Sequence, residues 1–200
     1  MYVRISSALA CLAAACFALT PASAEPFVFD KGFTLITFSW SHLGLTRQMA
    51  RFNGYDGVIE IDSAQPANSK IDVTLRTSSL QTGVDTFDRI LRGPDYFDAT
   101  TYPAITFKSS QVTRTSEKTA DVAGELNIHG VSKPVILQVT LNLLGGHPSG
   151  AANPTYAGKK VAAFSAKSQV LRSAWGLSRG TPLVSDEIDI TIETELVSRE

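Results

Sequence analysis

The sequence predicts an all-β domain, an antiparallel β-barrel with one short helix. Three observations lead to this. First, two long segments alternate cleanly. Val135, Leu137, Val139, Leu141 and Leu143 are apolar around Gln138, Thr140 and Asn142, and Ile188, Ile190, Ile192 and Leu196 alternate with Asp189, Thr191, Glu193 and Glu195. Period two gives a strand one dry face and one wet face. Second, about nine short segments of this kind recur at even spacing, the pattern of a sandwich or barrel. They are joined by turn-rich stretches such as 64–69, 113–119 and 145–158. Third, outer positions stay polar on strand after strand, as in Asp72, Thr74 and Arg76, or Glu125 and Asn127. This suits a barrel better than a sandwich, because closure removes the sheet edges.

The elements follow in order. Residues 1–24 read as a signal peptide. Arg4 supplies a positive start, 5–19 is apolar or small, and Ala22-Ser23-Ala24 is a small-x-small cleavage site, so the mature chain is expected to begin at Glu25. The run is too short and too rich in alanine for a good membrane span. Cys11 and Cys16 both lie in the leader, and Ala13-Ala14-Ala15 before Cys16 is a poor lipoprotein signal. The domain, 25–200, then contains no thiol and is built without disulfides.

Strands are expected over 32–41, 47–52, 57–61, 70–77, 104–112, 121–129, 134–143, 160–170 and 187–197. In the first, Phe38 and Trp40 share one phase and Phe33 and Leu35 the other. Ile71, Val73 and Leu75 share a face, as do Ile105 and Phe107, and Val122, Leu126 and Ile128. Pro103 stands just before its strand, where proline is tolerated. Residues 84–92 break the period. Val84, Phe87, Asp88 and Leu91 fall on one side of a short amphipathic helix, with Asp85 in its first turn and Arg92 at its end to suit the dipole. Pro94 stops it. A second helical turn is expected over 172–177, and the long Gly/Pro/Asn-rich loop at 145–158 is expected to be mobile and near a rim.

Composition narrows the function. The chain has 18 Lys and Arg against 19 Asp and Glu, a net charge of −1, with no basic block. That argues against nucleic acid as a partner and against an electrostatically held membrane surface. No metal site is expected, because no His-x-x-x-His, paired cysteines or acidic calcium loop is present. No Gly-x-Ser-x-Gly elbow supports a nucleophilic serine. His42 reads first as a buried, hydrogen-bonded side chain, His129 as structural at a tight turn beside Gly130, and His147 as solvated. Asp88, Arg89, Arg92 and Arg172 read as ion-pair partners. The inward apolar stripe, taken alone, reads as ordinary core.

A series of motifs changes that last reading. Ser41-His42-Leu43-Gly44-Leu45-Thr46 follows Phe38-Ser39-Trp40, and Gly57-Val58-Ile59-Glu60-Ile61-Asp62 comes next. Ser78-Ser79-Leu80-Gln81-Thr82-Gly83 leads into Asp88-Arg89-Ile90-Leu91-Arg92-Gly93-Pro94-Asp95-Tyr96-Phe97-Asp98. Then come Tyr102-Pro103-Ala104-Ile105-Thr106-Phe107, Gly124-Glu125-Leu126-Asn127-Ile128-His129-Gly130 and Arg172-Ser173-Ala174-Trp175-Gly176-Leu177. In this order they resemble the YceI family of bacterial periplasmic proteins over essentially the whole mature chain.

The resemblance implies an extended, eight-stranded lipocalin-like barrel with the helix across it. It implies non-catalytic binding of a long amphiphile, a polyprenyl phosphate or an isoprenoid quinone, in the apolar interior, with no cofactor. Fatty amides or other hydrophobic compounds are the alternative ligands, and a lipid-acting hydrolase or isomerase is the rival class. The ligand surface is expected at Phe38, Trp40, Ile105, Phe107, Leu126, Ile128, Leu137, Val139, Phe164 and Ile190. Head-group candidates are His42, Arg89, Arg92 and Arg172, since an arginine near a mouth can hold a phosphate by bidentate bonds. The periplasm is the expected location. A homodimer and a membrane donor or acceptor protein are carried over as candidate partners.

Overall fold

The computed structural model describes residues 24–199, so the expected leader lies outside it apart from Ala24. The strands are β1 Glu25–Phe29, β2 Leu35–His42, β3 Thr46–Phe52, β4 Tyr55–Ile61, β5 Lys70–Arg76, β6 Leu80–Gln81, β7 Ala104–Arg114, β8 Thr119–Ile128, β9 Val131–Gly146, β10 Lys160–Leu171 and β11 Glu187–Ser198. The helix α1 spans Asp85–Arg92. Every pairing is antiparallel, and β1 pairs with β11 to close the sheet.

Eleven segments make a closed barrel of eight staves. β1 and β2 lie end to end beside β11, with Phe29 opposite Leu196 and Ile36 opposite Ile192. β3 and β4 are likewise one stave, interrupted at Asn53 and Gly54, and they pair with β2 and β1 respectively. β5 and β6 are separated by a 3-10 turn at Thr77–Ser79. Each stave therefore neighbours the next in sequence, the meander of an up-and-down barrel.

Two of these segments escape a reading by periodicity. In β1, Phe27, Val28 and Phe29 are all apolar, so no alternation marks them; Phe27 is only 1% exposed. β6 has two residues. The remaining strands fall within a few residues of expectation.

Local chemistry sets the turns. His129 and Gly130 have φ of 52° and 75°, a two-residue hairpin turn whose twist matches the flanking strands. The His129 ring packs on Tyr102 with centroids 4.2 Å apart. A Cβ at Gly124 would lie 2.5 Å from the Lys108 carbonyl and 2.6 Å from the Phe107 ring. Glycine there lets Phe107 turn inward beside the register shift at Ser109–Gln111.

The barrel has two ends. The helix end collects α1, the 93–103 stretch and the 172–186 loop, including the 3-10 turn Arg172–Trp175. The hairpin end collects 62–69, 115–118 and 147–159. The last of these is folded onto the wall. Tyr156 Oη donates to Asp30 Oδ2 at 2.7 Å, and His147 stacks on Tyr156 at 3.7 Å. His147 is thus half-buried rather than solvated, with Nδ1 accepting from the Ser149 N–H at 3.1 Å.

Helix α1 turns Phe87 and Leu91 toward the barrel. Val84 precedes the helix with extended backbone and is 55% exposed, contrary to its expected place on the inner side. Asp88 anchors α1. Its carboxylate accepts from the Thr82 N–H and hydroxyl, both at 2.6 Å, and lies 3.2 Å from the Arg92 guanidinium. Burial raises the pKa of this carboxyl, but the Thr82 hydrogen bonds and the Arg92 charge together outweigh it and hold the group below its ordinary value. A depressed folded-state pKa contributes stability above the unfolded value of about 4, and that contribution is lost as pH falls through the folded value. Thermal melts across acid pH should therefore show the parent losing more stability below about pH 4 than Asp88→Asn, which has no carboxylate to protonate. Parallel curves would mean that Asp88 carries no such linkage.

Candidate functional site: an apolar chamber

Because the inward phase of the staves is mostly apolar, the barrel axis is lined largely by hydrocarbon. It is not filled. A cavity of about 550 Å³ runs through the interior, within the roughly 300–1,000 Å³ of small-molecule sites. Phe38, Trp40, Ile105, Phe107, Leu126, Ile128, Leu137, Val139, Phe164 and Ile190 all line it. The phase of β2 is resolved in favour of Phe38 and Trp40, since Phe33 and Leu35 are 58% and 43% exposed.

Other lining residues lie outside the expected set. Ile71 and Val73 carried the alternation signal already noted and could have been named on it. Tyr96, Phe97 and Leu177 come from segments with no period, and nothing local marks them as wall.

The larger packed cluster fills the helix end, and a smaller one, Phe27, Ile59, Ala162 and Leu196, lies toward the hairpin end. Phe38 lies within 5.7 Å, centroid to centroid, of Trp40, Phe52 and Phe97. Trp40 meets Phe87 at 5.9 Å. Trp175 is 2% exposed and donates its indole N–H to the Leu126 carbonyl at 3.1 Å. Below this plug the wall opens. Val73, Leu137, Val139, Leu141 and Ile192 are only half-buried although they face inward. Val139 sits between Ala120 and Ala166 on the neighbouring strands, and these small side chains leave room beside it.

The four head-group candidates do not converge. Arg172 lines the chamber and is 8% exposed, but its guanidinium is spent on backbone carbonyls. Nε donates to Ser185, Nη1 to Leu177 and Arg179, and Nη2 to Val184. Its main partners are therefore four carbonyls rather than the single ion pair or ligand expected of it. Arg92 pairs with Asp88 as the ion-pair reading anticipated, but it lies off the chamber wall. Arg89 is exposed on α1, also off the wall, and among the described residues it has no ion pair. His42 does line the chamber, at the rim, where it is exposed rather than buried.

Ionisable groups on the wall are confined to the two ends. At the hairpin end these include Asp62, Arg114, Glu117 and Lys118. Asp62 accepts from the N–H of Gln65 at 2.8 Å, from Asn68 Nδ2 at 3.1 Å and from the N–H of Ala64 at 3.1 Å. The Gln65 and Asn68 bonds lead in holding its carboxyl below the ordinary value, against an opposing burial effect. Asp62 thus serves to fold the 62–69 loop. Among the described residues no three His, Cys, Asp or Glu side chains are grouped to hold a metal. Between the two ends the wall is almost wholly hydrocarbon, and the hydroxyls of Thr37 and Thr194 there are bonded within the protein.

Comparison with known proteins is consistent along the chain. The family model of the YceI-like domain matches residues 27–196. A UPF0312 protein of Pseudomonas savastanoi pv. phaseolicola is 34% identical over 199 residues, covering 98% of this chain and 99% of that one. The crystal structure of the Campylobacter jejuni YCEI protein superposes with a TM-score of 0.70 at 29% identity, covering 80% of this chain and 90% of that one. A polyisoprenoid binding domain from Saccharophagus degradans superposes with a TM-score of 0.62 at 15% identity, covering 88% of this chain and 99% of that domain.

Proposed function

The chain belongs to the YceI family, and from that premise we propose that it is an exported binding protein that carries an amphiphilic isoprenoid in the barrel. One observation carries the reading: an unfilled apolar chamber whose wall has ionisable groups only at its ends. An isoprenoid tail has only hydrophobic contact to offer. At about 0.8 kcal/mol per buried methylene, such a tail can supply most of the affinity, less the cost of association. The polyisoprenoid binding domain of Saccharophagus degradans shares the fold and supports this choice of ligand. The periplasm is proposed from the leader, with its cleavage site at Ala22-Ser23-Ala24.

A binding role needs no nucleophile or base, and none is assigned. Native mass spectrometry of protein from the periplasm of its own host tests the proposal. The expected result is a polypeptide starting at Glu25 with an added isoprenoid mass. A fatty amide or another lipid would replace the isoprenoid in this reading. Turnover of added lipid would replace binding by catalysis. A mass that retains the leader would refute export with cleavage.

A further inference from the structure

We propose that the chamber takes an anionic amphiphile tail-first, its head held at the hairpin end by Arg114 and Lys118. This rests on the apolar-ligand reading above and adds a direction and a head-group charge to it.

The helix end is a poor place for a head group. Its plug is hydrocarbon: Leu91, Trp175 and Leu177 are 6%, 2% and 7% exposed. The cation that reaches the chamber there, Arg172, has its donors committed to four carbonyls. Recruiting it to a phosphate or carboxylate would strip buried carbonyls of their donors, a penalty that sets back any gain.

The hairpin end is built differently. Arg114 continues the inward phase of β7 after Val112 and lines the chamber. Its Nε donates to the Ser116 carbonyl at 2.8 Å, and its Nη2 donates to the Glu117 carbonyl at 3.2 Å. These bonds fix the guanidinium in place without a carboxylate to neutralise it, and Nη1 is left over. Lys118, across the same hairpin, also lines the chamber and has no ion pair among the described residues. The neighbouring acids are largely occupied. Asp62 is held by its own loop, and Glu60 lies 3.9 Å from Lys70. Glu60, Asp62 and Glu117 put three carboxylates at this rim, so Arg114 and Lys118 stand out by having no ion pair among the described residues and not by net charge. The unfilled part of the chamber, around Val73, Val139 and Ile192, lies between these cations and the aromatic plug. A tail entering from the hairpin end beside these cations passes the smaller cluster of Phe27, Ile59, Ala162 and Leu196 on β1, β4, β10 and β11 and reaches the plug last.

The two tryptophans of the chain, Trp40 and Trp175, both belong to the plug, so they report which end of a ligand arrives there. The experiment is a fluorescence titration with stearic acid carrying a nitroxide either beside the carboxylate or at the far end of the chain. The far-end label should quench more strongly at saturation. The Arg114→Gln/Lys118→Gln double variant, with its melt checked against the parent, should bind the labelled acid about tenfold more weakly, the lower bound for losing charged hydrogen bonds. Its affinity for the methyl ester with the same label should stay within about threefold of the parent. Arg89→Gln should bind the acid like the parent. Stronger quenching by the carboxylate-side label, or an unchanged double variant, overturns the proposal and leaves the apolar-ligand reading standing. No saturable quenching by acid or ester overturns both.

Discussion

Replacing Arg172 with alanine is expected to lower the melting temperature by about 10 °C, the shift for a loss of roughly 3–5 kcal/mol in a domain of this size. The guanidinium donates to the carbonyls of Ser185, Leu177, Arg179 and Val184. It ties together both ends of the 172–186 loop, which carries Trp175 and Leu177 into the plug. Alanine would leave buried carbonyls unsatisfied and the loop untethered. Lysine, whose three donors share one nitrogen, cannot span four carbonyls and should recover only part of the loss. Thermal melts of the two variants give the result. If alanine leaves the melt unchanged and weakens only charged ligands, Arg172 is a head-group residue and the carbonyl clamp has no weight.

The second large effect is expected at Val139, in the opposite sense. Val139→Asp should fold with a melt near that of the parent, yet bind an apolar ligand at least a hundredfold more weakly. Val139 faces a chamber with room for water, so its carboxylate stays hydrated while the chamber is empty. An apolar tail would displace that water and leave an unpaired charge in hydrocarbon, a penalty of several kcal/mol. Titration with a fluorescent fatty acid, alongside melts, measures both quantities. Val139→Thr, which keeps the shape and adds one hydroxyl, should show a smaller loss. Parent-like binding by the aspartate variant would place the ligand elsewhere.

These two residues show what could be read from the chain and what could not. Val139 was assignable as inward from the alternation of 135–143 alone, because side chains in a pleated strand flip at every step. The same rule placed Ile105, Phe107, Leu126, Ile128 and Ile190 on the wall. It failed at β1, where Phe27, Val28 and Phe29 are all apolar, since Val28 faces outward beside Val197. It was ambiguous in β2 until Phe33 and Leu35 proved exposed. The arginines were harder. Arg92 with Asp88 is an i,i+4 pair on one helix, a local relation that spacing reveals. Arg172 finds its carbonyls on residues 177–185, whose path follows from no period.

The sequence by itself therefore determined an all-β barrel, the helix at α1 and most of the side chains that point inward, because each depends on neighbours a few residues away. The tertiary structure alone decided that the interior is unfilled, that the helix end is plugged and that Arg172 serves the backbone. Those properties depend on how staves distant in sequence space themselves around a closed ring. They depend equally on where aperiodic segments deliver Phe97, Trp175 and Leu177. The volume left inside a barrel is the difference between its girth and the side chains that meet across it, and no stretch of one strand contains that difference.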